Sequence, residues 1–388
     1  MKVLEVTFIP PDKMSGGGRG ILQSIKSILA NSQMDYIGPE FDLTILEPSY
    51  KKNLGKMHFL KQCNRNFVTA LRGIIDGAST SFYDSWLKAS MNIDWSEYEC
   101  VHIESSRYDF VVECAKKYKK PIIIRLHNIE SDYGKNAFMR SGSVKDYIRY
   151  TIFKYNERRC IRKADWLVFI TQADLKRAEK LYGYMGDNYI NNPVCMEENE
   201  YTIKSYKKEE IVFLTTGSLS FGPNLYGVKW FLENVWNGFI EENINARFIV
   251  AGSHPTDDLK KIIENINGVE LVDTPRDMME YLRVADVYIA PIFDGAGMKV
   301  KVAEALSFGL PVIGTNHAWI GYEKVKFGRY IANTTDEFIK TMKELNEMYT
   351  VKIHRRQIRD EFNLEYSTKA SETRYRELFK RIGEKFWL

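Results

Sequence analysis

Long apolar runs are missing from this chain, and no stretch approaches the ~20 residues a membrane-spanning helix needs. Cysteine is sparse: Cys63, Cys100, Cys114, Cys160 and Cys195 are odd in number, scattered, and include no Cys-x-x-Cys. That usage points to free thiols in a reducing cytoplasm and supplies no metal framework. The six histidines are equally dispersed. Excess charge is small, with 55 Lys and Arg against 51 Asp and Glu for a net +4. No nucleic-acid-binding motif accompanies it, so nucleic acid is not an expected partner. The opening Met1–Pro10 is interrupted by Glu5 and reads as a first strand rather than a signal peptide.

What is present is enough for two full cores. The chain has 388 residues, 44% of them hydrophobic, with 23 Tyr and 21 Phe. Its positive charge is unevenly placed. Between Lys51 and Arg72 lie six Lys or Arg and no acid, interleaved with Leu54, Met57, Phe59, Leu60, Phe67, Val68 and Leu71. Basic clusters also occur at Lys116–Lys120 and Arg158–Lys163. Solvated helix faces explain this pattern as well as a surface that meets anionic lipid, where each cation contributes about 1 kcal/mol.

Along the chain, strand and helix patterns alternate. Strands are expected at Val3–Pro10, Phe41–Leu46, Cys100–Ile103, Pro121–Leu126 and Trp166–Ile170. Helices are expected at Ile21–Ala30, through the basic stretch, and at Gln172–Tyr182. The pattern breaks near Asn191-Asn192-Pro193, and the polar Glu197–Glu210 reads as a linker. A second series follows, with strands at Ile211–Thr216, Phe248–Ala251, Val269–Val272, Val287–Ile292, Pro311–Gly314 and Tyr330–Ala332. Helices at Tyr226–Trp236 and Asp258–Asn265 lie between, and a helix-rich tail runs from Tyr349 to Leu388. Such alternation predicts mainly parallel sheets covered on both faces, an α/β fold. In such sheets ligands sit beyond the carboxyl ends of the strands. There the chain places Met14–Gly20, His127–Glu130, Gly217–Asn224, Gly252–His254 and Asp273–Pro275, and the two ligand ends are expected to make a cleft.

One stretch concentrates the chemistry. Pro291–Ile313 reads as strand, glycine turn, helix, stop, strand. Gly295 and Gly297 bring backbone close to whatever lies above the sheet where a helix starts, a place suited to phosphate. Lys299 and Lys301 add cations, and Glu304 adds an acceptor for sugar hydroxyls. An ordinary i,i+3 surface pair of Lys301 and Glu304 on a plain turn is the alternative.

These residues resemble the GT-B glycosyltransferases, specifically the retaining family 4. The likeness rests on Gly-Ser-Leu-Ser-Phe-Gly-Pro-Asn at 217–224, Ala-Gly-Ser at 251–253, and Gly-Ala-Gly-Met-Lys-Val-Lys-Val-Ala-Glu-Ala-Leu from Gly295 followed by Gly-Leu-Pro-Val-Ile. In the first half it rests on Gly-Gly-Gly at 16–18 and His-Asn-x-Glu at 127–130. The resemblance implies two Rossmann-like domains, 1–194 and 195–371, with a C-terminal helix at about 372–388 returning to the first. It implies transfer of a sugar from a nucleoside diphosphate donor, expected to be UDP-linked, to a glycan or lipid-linked acceptor in surface polysaccharide or glycoconjugate assembly. Glu304 would hold the ribose, while Lys301 and the backbone of Gly295, Ala296 and Gly297, with Met298 and Lys299, would face the diphosphate. Gly17 and Gly18 would close over the donor, His127 would line the sugar pocket, and Thr274 would flank the base.

Two features depart from the family pattern. Many members carry a second Glu where this chain has Ala296, for which Asp294 is the nearest substitute. Many also carry an Arg-Lys pair where Ser218 and Asn224 stand, leaving more electrostatic load on Lys299 and Lys301. A subgroup with Gly-x-Gly-x-x-x-Lys-x-x-Glu shares both features. No Asp-x-Asp occurs, so no metal is expected and side chains with helix ends would neutralise the phosphates. His127, next to Asn128 and Glu130, could instead cap a turn. The competing functions are a non-hydrolysing nucleotide-sugar epimerase and a non-catalytic accessory subunit. The expected place is cytoplasmic, on the inner face of the membrane if Lys51–Arg72 binds lipid.

Overall fold

A computed structural model describes residues 1–13, 15–62, 81–198, 210–241, 244–295, 297–347 and 352–386. The chain divides into two units. The first is Met1–Val194 with Ser371–Leu388, and the second is Cys195–Ala370.

The first unit is built on a seven-stranded parallel sheet. Its strands are β1 (Lys2–Val6), β2 (Gln33–Pro39), β3 (Leu54–Leu60), β4 (Cys100–Ile103), β5 (Ile122–Leu126), β6 (Trp166–Phe169) and β7 (Tyr189–Asn191), in the order β3-β2-β1-β4-β5-β6-β7. Alternate residues separate two cores, as the two-residue period of a strand requires. Leu4, Val101, Ile124 and Phe169 meet Trp86, Val111 and Leu175 of the helices on one face. Val3, Ile123, Trp166 and Val168 meet Ile21, Ile25 and Leu29 of the helix Gly16–Leu29 on the other. That second core is completed by the chain's far end, where Tyr375, Leu378, Phe379 and Ile382 of the helix Thr368–Phe386 are buried. Polar contacts key this helix in place. The Ser371 hydroxyl lies 2.7 Å from Ser27 Oγ, and the Asn31 amide donates to the Glu372 carbonyl at 2.9 Å.

The second unit carries a six-stranded parallel sheet. Its strands are β8 (Ile211–Ser218), β9 (Ala246–Ser253), β10 (Val269–Asp273), β11 (Val287–Ala290), β12 (Val312–Gly314) and β13 (Arg329–Ile331), ordered β10-β9-β8-β11-β12-β13. Phe213, Phe248, Val250 and Ile289 pack on Phe231, Trp236, Phe239 and Phe338. The helix Gly222–Phe231 runs on through a π turn at Leu232–Trp236, where Trp236 is wholly buried and donates to the Asn267 carbonyl at 2.9 Å.

Alternation of strand and helix therefore reads correctly as two parallel doubly wound sheets. Two local expectations fail. Phe41–Leu46 is not a strand; the strand is Gln33–Pro39, and Asp42 closes a 3₁₀ turn by accepting from the Thr44 amide at 2.8 Å. From Leu54 on, the basic stretch is not helical either. Leu54–Leu60 is an edge strand paired with β2, whose one lysine, Lys56, is exposed and reaches Glu97 at 2.8 Å. Its Gly55 admits the Asp35 carboxylate, since a Cβ there would lie 2.1 Å from Asp35 Oδ1. Residues 63–72 of that stretch, 199–209 of the expected linker, and 349–351 and 387–388 of the tail lie outside the described residues. No helix among the described residues is long and apolar enough to cross a membrane.

Candidate functional site

In the second unit the winding reverses between β8 and β11, and both strands end in the loops that the sequence singled out. Such a reversal leaves a crevice at the carboxyl ends of the strands. Glycines let backbone close in around it. Gly217 has φ +139°, and a Cβ on it would stand 2.9 Å from both Asn224 Nδ2 and Lys301 Nζ. At Gly227 a Cβ would fall 1.8 Å from the Pro291 carbonyl oxygen, so only glycine lets this helix touch the loop after β11. Gly227→Ala should therefore force backbone apart and destabilise by about 1–3 kcal/mol, a loss measurable by urea denaturation.

The loop after β11 holds its shape by its own bonds. Asp294 Oδ1 accepts from the Gly295 amide at 2.6 Å, and Gly295 and Gly297 are left-handed at φ +103° and +69°. Lys299 turns back on the loop and donates to the carbonyls of Gly295 and Gly297, each at 2.8 Å. His317 bonds the Gly295 carbonyl as well. Lys299 thus braces the turn. Met298 is buried, and Ala296 lies outside the described residues. The helix Val300–Ser307 starts next, and its N-cap Lys299 makes no side-chain cap bond.

Lys301 differs from a solvated surface lysine. It is partly buried, and its Nζ donates to Asn224 Oδ1 at 2.8 Å, while Asn224 Nδ2 donates to the Ser218 carbonyl at 3.0 Å. Burial pushes the Lys301 ammonium down to about 8, against the pull of Glu304 one turn along the same helix and with a further push from Lys299. Burial also lowers Lys299 to about 8, opposed by Asp294. Both lysines titrate near 10.5 when unfolded. The folded protein therefore binds fewer protons between about pH 8 and 10.5, and these groups make it more stable as pH rises through that window. An anion held by the ammonium shows the opposite trend. The affinity of such an anion, measured by calorimetry, should fall about tenfold between about pH 7 and 9.5.

At the far side of β9 the chain is strained. His254 and Thr274 are left-handed at φ +54° and +49°, an outlier for a β-branched residue. The Thr274 amide donates to the Gly252 carbonyl at 2.8 Å and its hydroxyl to Asp273 Oδ1 at 2.7 Å. Two adjacent strand ends thus hold rare backbone at the ligand edge of the sheet.

In the first unit the reversal falls between β1 and β4. Gly16, Gly17 and Gly18 form the first turn of a helix rather than a loop, with the Ser15 hydroxyl accepting from the Gly18 amide at 3.0 Å. A Cβ on Gly17 would meet nothing within 4 Å, whereas one on Gly18 would strike Asp12. His127 follows β5 and does not cap the next helix, whose N-cap is Ile129. Its Nε2 bonds Glu104, and its Nδ1 faces Gly20, where a Cβ would stand 3.0 Å away. The N-terminus of the helix Glu130–Ser141 is taken by Glu157, which accepts from the amides of Glu130 and Ser131 at 2.7 and 3.0 Å.

Beneath His127 runs a buried polar ladder that sequence reasoning missed. Glu5, His102, Glu104 and Arg125 are all fully buried. His102 Nδ1 lies 2.6 Å from Glu5 Oε2, and its Nε2 lies 2.9 Å from the Tyr375 hydroxyl. Burial raises the Glu5 carboxyl to about 7 despite His102. Burial also works against Glu104, but the charge and hydrogen bond of His127, with Arg125 and His102, hold it at about 2. The available signal was Glu5, His102 and Arg125 set in otherwise apolar stretches of β1, β4 and β5, with Glu104 just past β4. Among the described residues Glu5, His102 and Glu104 are the grouping spaced to hold a cation. They do not fit one, because both imidazole nitrogens of His102 already have partners and the Arg125 guanidinium adds positive charge beside them.

Residues 210–347 match the family described as Glycosyl transferases group 1. An uncharacterized 44.6 kDa protein in the cps region of Klebsiella pneumoniae is 29% identical over 276 residues, 62% of this chain and 69% of that one. Among solved structures, a glycosyltransferase from Rickettsia africae superposes with a TM-score of 0.68 at 12% identity, covering 98% of each chain. HepE of Anabaena, solved with UDP, gives 0.67 at 11% identity over 98% of this chain and 99% of that one. WaaG, a glycosyltransferase involved in lipopolysaccharide biosynthesis, gives 0.61 at 14% identity over 96% and 98%. At such identities the likeness speaks for the fold, and the family match speaks for the second unit. The chain thus has the fold of these glycosyltransferases, and its residues 210–347 match the glycosyl transferases group 1 family.

Proposed function

We propose that the protein is a retaining glycosyltransferase that takes its sugar from a UDP-linked donor and passes it to a glycan or lipid-linked acceptor of surface polysaccharide. One observation carries this reading: a partly buried lysine of lowered pKa, Lys301, lies against Asn224 at the strand reversal, on a helix whose first turn follows a glycine loop. Lysine, loop amides and helix dipole together suit a diphosphate. Glu304, one turn further, is assigned to the ribose hydroxyls, Ser218 and Asn224 to the phosphate side, and Thr274 with its strained backbone to the base. Asp294 and Lys299 set the turn that presents the amides. UDP is favoured because HepE was solved with it. The acceptor class follows the cps-region relative and WaaG.

The chemistry we assign is front-face displacement. The acceptor oxygen bonds to the anomeric carbon on the face from which the phosphate departs, and the departing phosphate oxygen takes the acceptor's proton. Lys301 offsets the charge that grows on that oxygen, a contribution of positioning and electrostatics. The first unit supplies the acceptor side, with His127 assigned to the transferred sugar and Gly17 and Gly18 to the close approach of donor and acceptor. Phosphate charge is met by protein cations and amides, so this reading assigns no metal a step.

Thermal unfolding tests the donor site. UDP at saturating concentration should raise the melting temperature by several degrees, as expected for a ligand about a hundredfold above its Kd. Glu304→Ala should abolish most of that shift, and an unchanged shift would remove Glu304 from the site. NMR of UDP-N-acetylglucosamine incubated with enzyme alone separates this reading from epimerisation, which would invert the sugar without an acceptor.

A further inference from the structure

The helix Val144–Lys163 buries Phe153, Asn156, Glu157, Cys160 and Ile161. At 3.6 residues per turn, Val144, Tyr147, Ile148, Thr151 and Tyr155 fall on the opposite face. A water-facing stripe is normally polar, yet here Val144, Tyr147, Ile148 and Tyr155 are 75, 51, 47 and 59% exposed. Met139, at the end of the preceding helix Glu130–Ser141, is 71% exposed. The Phe138 ring meets Tyr147 edge-on at 5.3 Å, so the two helices share one apolar tip.

Charge around this tip is one-sided. Between residues 133 and 162 the sequence has eight Lys or Arg and two acids, Asp146 and Glu157, and Glu157 is buried against amides. Lys135, Arg140, Lys145, Lys154, Arg158 and Arg162 are exposed. Aliphatic side chains, amphipathic tyrosines and long cationic stems together match the layers of an anionic bilayer surface: acyl chains, the interface, and phosphate headgroups. An acidic protein would satisfy the cations but leave Val144, Ile148 and Met139 in search of an apolar groove.

We propose that the tip of this helical hairpin docks the protein on an anionic lipid surface. The docking does not depend on the transfer reaction, and its location differs from the Lys51–Arg72 stretch, whose described part contains an edge strand.

Sedimentation with vesicles of phosphatidylcholine containing about one-third phosphatidylglycerol tests this. The protein should pellet with these vesicles, not with pure phosphatidylcholine, and less so at high salt. Tyr147→Ser combined with Ile148→Ser should weaken binding about tenfold or more, and Arg140→Ser with Lys145→Ser about fivefold per cation. Both variants should keep the wild-type melting temperature, because none of the four side chains is buried. Lys51→Ser with Lys52→Ser should bind as the wild type does. Absent binding to anionic vesicles, undiminished binding by the hairpin variants, or loss confined to the Lys51 and Lys52 variant would each overturn the proposal. So would a lipid-free dimer that Tyr147→Ser with Ile148→Ser dissociates, which would make the stripe a contact between copies.

Discussion

Lys301→Ala is expected to lower kcat about 10²–10³-fold, the cost typical of removing one donor aimed at developing charge. The reason lies in where the ammonium sits. It is withdrawn from bulk water far enough to drop its pKa to about 8, and an incoming phosphate restores the favourable charge that burial withholds. A cation in such surroundings interacts more strongly with a growing oxyanion than a solvated lysine does. Lys299→Ala should behave differently. Lys299 Nζ is bound to two loop carbonyls, so its loss loosens the turn and should raise KM for the donor more than it lowers kcat. UDP release followed over a range of donor concentrations separates the two variants. If Lys301→Ala leaves kcat within a factor of two while Lys299→Ala abolishes it, the assignment of roles is reversed.

Glu104→Ala should destabilise the first unit by about 3–5 kcal/mol, the range found when one partner of a buried ion pair is removed. Glu104 is wholly buried, bonds His127, and lies within the field of Arg125. The Nε and Nη2 atoms of Arg125 have no hydrogen-bond partner among the described residues, so its charge depends on the carboxylates beside it. Without Glu104, Glu5 is the carboxylate left beside that guanidinium among the described residues, and its own carboxyl is raised to about 7. Glu104→Gln should cost less, since the amide oxygen can still accept from His127 Nε2. The pH dependence follows from the depressed pKa. The stabilisation is fully present above the ordinary carboxylate range near 4.5 and is lost as pH falls towards about 2. Urea melts at neutral and acid pH should therefore show the gap between wild type and Glu104→Ala closing in acid. A gap that persists unchanged would mean that the residue acts by packing alone.

These two sites were unequally legible in the sequence. Around Lys301 the motif is contiguous: two glycines, two lysines, a glutamate and a Gly-Leu-Pro stop fall within one turn-helix unit, so local geometry alone brings them together. Even so, the two lysines were not separable by sequence, because only the folded loop shows that Lys299 bends back on Gly295 and Gly297 while Lys301 reaches Asn224. The Glu5, His102, Glu104 and Arg125 ladder is the opposite case. Its members come from three strands and the residue that follows β4, and find a partner, Tyr375, at the far end of the chain, so no window of sequence contains them. Edge strand β3 was misread for a related reason. Its apolar residues also fit a helical spacing, and only pairing with Met34–Pro39 decides for the strand.

What the sequence determined by itself was the alternation of apolar strands with amphipathic helices, the glycines that mark strand ends, and the cations beside one helix start. Each follows from side-chain period and backbone freedom, which act over a few residues. Tertiary structure alone decided which charges are buried together, which lysine braces a turn and which one is left against Asn224, and which apolar stripe stays in water. Those outcomes depend on desolvation and on contacts between distant segments, and neither quantity exists until the sheet has brought the strands side by side.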